Sequence, residues 1–423
     1  MSLELSTEES TLGGIGGGGY PLLAPYAGQA IEIDFVATNS IYSEFVSGGG
    51  GVDYGDAPDS GIGTGANNYN TLATDAGPSH FLGGPTLGAL ADGLGAEGGT
   101  LQDADATKDD LDNSDDEDGV TFPLSIISSA GVINTSSYVV DVQGAGGPYK
   151  VSAWFDFDQD GSFEIGEKVT DDLSLAVGIH VVPFSIPAGA ATSTTFARFR
   201  ISTGGTALPI GAAADGEVED HKITILDGSG ASPVGVDLSP TTGGAGAQPI
   251  TIAQDGTGNS TVTLGAGPPT TVFSAPLPAV GALTVVGTAA VDNFIIDHTN
   301  GNVATGPVTI DGGGLGDDLT ITGGAPGDMD TIDHTHATLD SGSIAYIAGA
   351  QPAHQTVNYT SVETVIDELQ PLHRIYTFNG ADNTVQLVDG PVASVITTLP
   401  ATSASTTFTN PTTDLVINGG VGA

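Results

Sequence analysis

Tyr149, Val151, Ala153, Phe155 and Phe157 alternate with Lys150, Ser152 and Trp154, a period of two that predicts a β-strand. Ile31, Ile33 and Phe35 alternate in the same way within residues 30–38, and Ile223 and Ile225 do so within 221–225. Further on, Val308-Thr-Ile310, Tyr376-Thr-Phe378 and the run from Thr384 to Val388 are short β-branched or aromatic segments set among Gly, Asp and Asn. Helix-forming runs are almost absent. The predicted class is all-β.

The chain divides into four stretches. Residues 1–50 hold the one strand at 30–38 between glycine runs at 13–19 and 48–51. Residues 51–227 contain every long acidic cluster, 228–233 read as a linker or tight turn, and 234–423 are rich in Thr, Val, Ala and Gly. In the last stretch, 283–299 align without gaps to 319–335, with nine of 17 positions identical at an offset of 36. Short strands at regular spacing predict stacked coils, a β-solenoid, with small sandwich domains as the alternative.

At 423 residues the chain is long enough for two or three domains. Its 64 glycines and 24 prolines favour short strands joined by tight turns. Charge sharpens the picture: 51 acidic residues face seven Lys and Arg, a net charge of −44. Such a chain repels nucleic acid and anionic lipid, and its self-repulsion is eased where divalent cations neutralise carboxylates. No apolar run reaches the roughly 18 residues of a membrane-spanning helix, so no membrane insertion is expected. The absence of cysteine excludes disulfides, thiolate metal sites and a cysteine nucleophile. Residues 1–19 have neither the basic flank nor the apolar core of a signal peptide. Residues 415–423 stop inside a strand-and-turn unit, which suggests a piece of a longer protein.

The clearest candidate chemistry is Asp156-Phe-Asp158-Gln-Asp160-Gly161-Ser162-Phe-Glu164-Ile-Gly166-Glu167. Its acids stand at positions 1, 3, 5, 9 and 12 of a twelve-residue loop with glycine at 6, and Ser162 supplies position 7. That is the ligand spacing of a calcium loop, with Ca2+ as the expected cofactor. The preceding strand pattern places the loop in a β domain instead of between two helices; the bland alternative is an acidic hairpin turn. From Asp103 to Asp118 stand nine carboxylates and one lysine. They form either a solvated loop or a second calcium site built from Asp112, Asp115, Asp116 and Asp118. Arg198 and Arg200 share one strand face, as do Glu217 and Glu219. An ion-pair ladder between the two pairs is the preferred account, with calcium ligation by Glu217 or Asp220 as competitor. Asp53, Asp56 and Asp59 either complete a metal site or cap an entry turn. Trp154 is read as core, with exposure for sugar stacking as the alternative.

Four stretches, Asp53-Tyr-Gly-Asp56-Ala-Pro58, the acidic run 109–118, Ala153-Trp-Phe-Asp156 with its loop, and Ala197-Arg-Phe-Arg-Ile201 feeding Asp215-Gly-Glu-Val-Glu-Asp220, resemble in order and spacing the GEVED-type domain of bacterial secreted and surface proteins. His221 departs from that pattern, in which Tyr follows the final Glu-Asp. The resemblance implies a calcium-associated β module, a β-sandwich over 51–227, with no defining catalytic residues. Residues 234–423 resemble degenerate repeats of very large bacterial, Planctomycete-like surface proteins. Gly313-Gly-Leu-Gly316-Asp-Asp318 is similar to a calcium nonapeptide, but with its apolar residue displaced and no tandem run. His334 and His336 share a strand face without an evident third ligand, so a structural role outweighs half a metal site. A polysaccharide lyase needs clustered basic residues, and 234–423 hold only Arg374. The expectation is a non-catalytic, calcium-stabilised structural or adhesive module, extracellular or on a cell surface. Its partners would be calcium and surface glycans or other surface proteins; the alternative is a carbohydrate-binding module.

Overall fold

The computed structural model describes residues 33–35, 41–43, 52–88, 102–107, 118–122, 126–239, 249–265, 269–314, 316–324, 330–347, 355–378, 384–399 and 404–419. Residues 1–51 are a unit of their own, in which Ile33–Phe35 pairs antiparallel with Ile41–Ser43. Of the expected strand over 30–38, residues 33–35 are described, and they are strand. The rest of the description concerns the unit 52–423.

The sandwich of its first half is built on the strands β1 (Ile126–Ser128), β2 (Asn134–Gln143), β3 (Tyr149–Phe155), β4 (Lys168–Leu175), β5 (Gly178–Ile186), β6 (Ser193–Ser202) and β7 (Glu217–Asp227), with shorter strands around them. One sheet runs β4-β3-β6-β7-β1; β2 and β5 pair antiparallel in another. Period-two alternation turns Val151, Ala153 and Phe155 of β3, and Ala197, Phe199 and Ile201 of β6, onto one face. There they meet Tyr138, Val140 and Val142 of β2 and Val182 and Phe184 of β5 in one core. This is the expected β-sandwich. Its outer face is not left to solvent, because residues 52–81 lie over it. Trp154, fully buried, joins Ala57, Tyr69, Phe163 and Phe196 there in a second small core. Trp154 is therefore core, and offers no face to a sugar.

The second half is also all strand. β8 (Ser232–Asp237), β10 (Val280–Val286) and β12 (Val308–Asp311) pair in parallel, as do β9 (Pro249–Gln254), β11 (Asn293–Asp297) and β13 (Asp318–Thr322). Their inward residues, among them Val236, Leu283, Ile310, Ile252, Phe294 and Ile321, fill a single core. An antiparallel hairpin, β14 (Thr331–His336) and β15 (Gly342–Ile347), then intervenes before the parallel order resumes with β16 (Gln355–Thr360) and β17 (Thr364–Asp367). The pairing is thus mixed, and a uniform coil is not established. Nor is the 36-residue repeat the structural period. Leu283 stands opposite Val308 and Phe294 opposite Leu319, each 25 residues on. The two repeat copies therefore begin in opposite sheets: what recurs is a strand-turn-strand unit, not a coil.

The sequence break at 228–233 is also shorter in the fold, since β7 ends at Asp227 and β8 begins at Ser232. The two halves meet where Thr135 of β2 pairs with Ser274 of the strand Thr270–Pro276.

Buried charge recurs at the turns of the second half. Asp317 receives the N–H of Asp292 on Oδ1 (2.7 Å), while its Oδ2 is buried without a hydrogen-bond partner. A Cβ on Gly312 would strike both that oxygen and the carbonyl of Ser361, so the two oxygens face one another across the glycine. Burial, with Asp292, Glu363 and Asp318 nearby, pushes the Asp317 carboxyl up to about 6. A raised carboxyl stabilises the fold most below its unfolded value, and that contribution disappears as pH rises through 6. Asp317→Asn, whose amide can donate to Ser361, is expected to stabilise the protein by about 2 kcal/mol at pH 7.5 and by little at pH 5. Urea midpoints at the two pH values check this; equal effects at both would refute it.

Candidate metal centre

Strand β3 ends at Phe155, and the chain turns at once through the loop 156–167. Two devices shape the turn. Gln159 and Gly161 take positive φ, 61° and 83°, which a glycine at position 6 accommodates without strain. A 3₁₀ turn, Ile165–Glu167, closes the loop through a capping box between Glu164 and Glu167. Backbone amides then orient the carboxylates. Asp156 Oδ1 accepts from Gln159 N (2.6 Å) and Oδ2 from Gly161 N (3.1 Å). Glu167 folds back so that Oε1 accepts from Phe157 N (2.6 Å) and Oε2 from Glu164 N (3.2 Å). Positions 1 and 12 are thereby buried and fixed, whereas Asp158 and Asp160 are exposed and Ser162 and Glu164 half-buried.

Two carboxylate triads result, Asp156-Asp158-Glu167 and Asp158-Asp160-Glu164, each with its oxygens within 4.8 Å of one another. Asp158 belongs to both. Among the described residues no cation is aimed at them: Lys168, next in sequence, turns away to Asp171 and lies over the Trp154 ring at 4.8 Å. The electrostatic cost is visible in the titration of the acids. Burial, then the neighbouring Glu164, pushes Glu167 up to about 8. Burial also raises Asp156, and burial with Glu164 and Asp158 nearby raises Asp160. Hard, converging, uncompensated oxygens fit a divalent cation of the calcium type, which Asp156, Asp158, Asp160, Glu164, Glu167 and the Ser162 position would hold.

Of the second candidate site only Asp118 falls among the described residues. Asp112, Asp115 and Asp116 lie outside the described residues; Asp118 is exposed and crowds the backbone at Gly88. The arginine ladder is real but differently paired. In β6 and β7, Arg198 stands opposite Asp220 and Arg200 opposite Val218, while Glu217 and Glu219 point to the other face. Arg198 accordingly grips Asp220 with two bonds of 2.7 Å. Arg200 donates to His80 (2.9 Å) and to the carbonyls of Leu208, Ile210 and Gly211. Burial and Arg198 bring its guanidinium down to about 9, and burial and Arg200 bring His80 down to about 3. Glu219 instead accepts from Gly119 N and pairs with His221.

The entry segment is tied into the same strands. Asp53 accepts from Val218 N (2.6 Å), Ala57 N donates to Asp220 Oδ2 (2.9 Å), and Asp59 Oδ2 accepts from Thr71 N and Leu72 N, both at 2.7 Å. The Asp-Tyr-Gly-Asp-Ala-Pro stretch, the arginine strand and the Gly-Glu-Val-Glu-Asp strand thus form one network. Residues 150–224 carry a GEVED domain. The calcium-type loop and the Arg198–Asp220 pair both lie within the matched GEVED segment. No curated protein and no solved structure matches the chain, and the comparisons lend no support to the repeat resemblance over 234–423.

His334 and His336 do share a face, and it points inward. His334 Nε2 meets Asp367 Oδ2 at 2.8 Å, Arg374 bonds the same oxygen, and His336 receives or gives a bond with the Tyr359 hydroxyl (3.2 Å). Burial lowers both histidines, His336 to about 3. Their role here is as partners in a buried network. Among the described residues, no third ligand brings them into a metal-binding group. Sequence spacing gave no hint of two residues that complete the GEVED loop: Tyr69, whose hydroxyl donates to Asp156 Oδ2 (2.7 Å), and Thr195, which donates to the Asp156 carbonyl (2.8 Å).

Proposed function

We propose that this chain is a non-catalytic, calcium-stabilised structural module of a bacterial extracellular or cell-surface protein. The observation that carries the reading is the convergence of five carboxylates on the 156–167 loop, inside the matched GEVED segment, with no basic side chain among the described residues to neutralise them. Calcium bound there would join the end of β3 to the 3₁₀ turn that opens β4, and so act as a clamp on the sandwich. The −44 net charge supports the same reading, because a chain so acidic is held apart by its own field until cations condense on it. The carbohydrate-binding alternative loses its main platform with the burial of Trp154. Adhesion to other surface proteins or glycans through the strand-rich second half remains part of the proposal.

Thermal unfolding of the full chain in chelator and in millimolar calcium tests it. At calcium about 100 times the dissociation constant, binding adds about 2.7 kcal/mol, which raises the midpoint by several degrees. Asp158→Ala removes the ligand common to both triads and is expected to abolish most of that rise. A midpoint indifferent to calcium overturns the proposal.

A further inference from the structure

The loop is roofed by another part of the chain. Thr64–Gly65 and Asn68–Tyr69 form a small antiparallel hairpin, and Gly161 lies directly beneath it. A Cβ on Gly161 would overlap the Gly65 carbonyl oxygen, so loop and hairpin are in backbone contact. Tyr69 hangs from this hairpin into the site. Its ring packs at 5.1 Å against Phe163, a residue of the loop itself, and at 5.1 Å against Phe196 of β6. Its hydroxyl reaches Asp156 Oδ2.

The surrounding lobe is tied together by its own hydrogen bonds and is anchored at one end, where Arg198 donates to the Thr71 hydroxyl (2.8 Å). Tyr69 N donates to Pro58 O (2.9 Å), Ser60 N to the Asn68 side chain (2.7 Å), and the Asp59 carboxylate caps Thr71 and Leu72. Residues 58–72 thus move as a unit if they move, and Tyr69 and Gly65 are their contacts with the loop.

We propose that residues 58–72 form a calcium-dependent cover of the GEVED domain, with Tyr69 as the positioning residue that couples cover and cation. The reading rests on calcium binding in the loop. A phenol O–H donating to Asp156 Oδ2, beside Gly161 N on the same oxygen, fixes the carboxylate's rotation and leaves the second lone pair of Oδ1, whose other partner is Gln159 N, for a cation; holding a ligand in this way is the usual work of an outer hydrogen bond. In return, a cation holding Asp158, Asp160 and Glu164 together fixes Gly161 and Phe163, the floor on which Gly65 and Tyr69 rest. Without it, mutual repulsion of five carboxylates loosens that floor. The coupling is reciprocal by linkage: whatever calcium does for the cover, the cover does for calcium affinity. Release of the cover would uncover Trp154, the chain's only tryptophan, and the aromatic patch around it.

The test uses the full chain and calcium chloride. Calcium affinity is measured by calorimetry for the wild type, Tyr69→Phe and Thr195→Val, and hydrogen exchange is followed with and without chelator. Tyr69→Phe keeps the packed ring and removes one oxygen, so folding is retained while the affinity is expected to fall roughly tenfold. Chelation is expected to speed exchange across 58–72 well before β2 and β6, and to shift the Trp154 emission to longer wavelength. Calcium bound with equal affinity by wild type and Tyr69→Phe, with exchange over 58–72 indifferent to chelator, overturns this inference and leaves the clamp standing. No binding by the wild type removes both.

Discussion

Arg198→Met is expected to destabilise the protein by about 3–5 kcal/mol, the usual result of removing one member of a buried ion pair. Arg198 and Asp220 are both fully buried, so the variant leaves a carboxylate where water cannot reach it. Asp220 would keep the Ala57 N–H. Arg198 also bonds the Thr71 hydroxyl (2.8 Å) and the Pro209 carbonyl (3.1 Å), which pins the entry segment to the sandwich. Arg198→Lys should recover little, because an ammonium cannot serve these partners through a planar fork. The double variant Arg198→Met/Asp220→Leu should recover a good part, since two apolar groups leave no orphaned charge. Urea midpoints of the four proteins decide the matter. A single variant within about 1 kcal/mol of wild type would show that Asp220 is solvated after all.

How far such features can be read from the chain depends on how local they are. The calcium-type loop is legible because its ligands lie within twelve residues and one glycine fixes their turn. The sandwich strand β3 is legible because Val151, Ala153 and Phe155 repeat every second residue. Arg198 and Arg200 were recognisably facing residues, but their partners depend on register. A one-residue shift in the pairing of β6 with β7 exchanges Asp220 for Glu219, and nothing in the local sequence sets that shift. Tyr69 is farther out of reach, 87 residues from the carboxylate it serves. The 36-residue repeat misleads for a related reason. Sequence similarity records a strand-turn-strand unit, while the stacking period also counts turns and the inserted hairpin β14–β15.

A common theme links the metal centre and the buried networks. Of seven basic side chains, the three arginines are all buried, and Lys168 lies against Trp154. The arginines are used inside, Arg198 and Arg374 as tethers for carboxylates and Arg200 for His80 and three carbonyls, while Lys222 meets Asp105 at the surface. With 51 acids against seven basic residues, most carboxylates have no basic partner in the chain, which makes external cations their natural complement.

The second half shows the same use most simply, with one arginine. In the strand His373–Phe378, Arg374 bonds Asp367, donates to the Leu369 carbonyl (2.7 Å) and lies over the Phe408 ring at 5.3 Å. Burial alone would raise the Asp367 carboxyl, but Arg374 and His334 together hold it far below the ordinary carboxylate range. A depressed carboxyl contributes stability above its unfolded value and loses it only as pH falls through the folded one. In the wild type that loss is confined to strong acid. Arg374→Met removes the main counter-charge, so Asp367 must sit buried with only His334 and the Leu369 N–H as partners, at a cost of about 3–5 kcal/mol at pH 7.5. Protonation of Asp367 relieves the variant but not the wild type, so the gap between them should narrow as pH falls toward 4. Asp367→Asn in the Arg374→Met background removes the charge outright and should make the gap insensitive to pH. Guanidinium unfolding across pH 4–8 measures all three. A gap that is constant with pH in the single variant would mean the lost packing on Phe408, and not the stranded carboxylate, carries the cost.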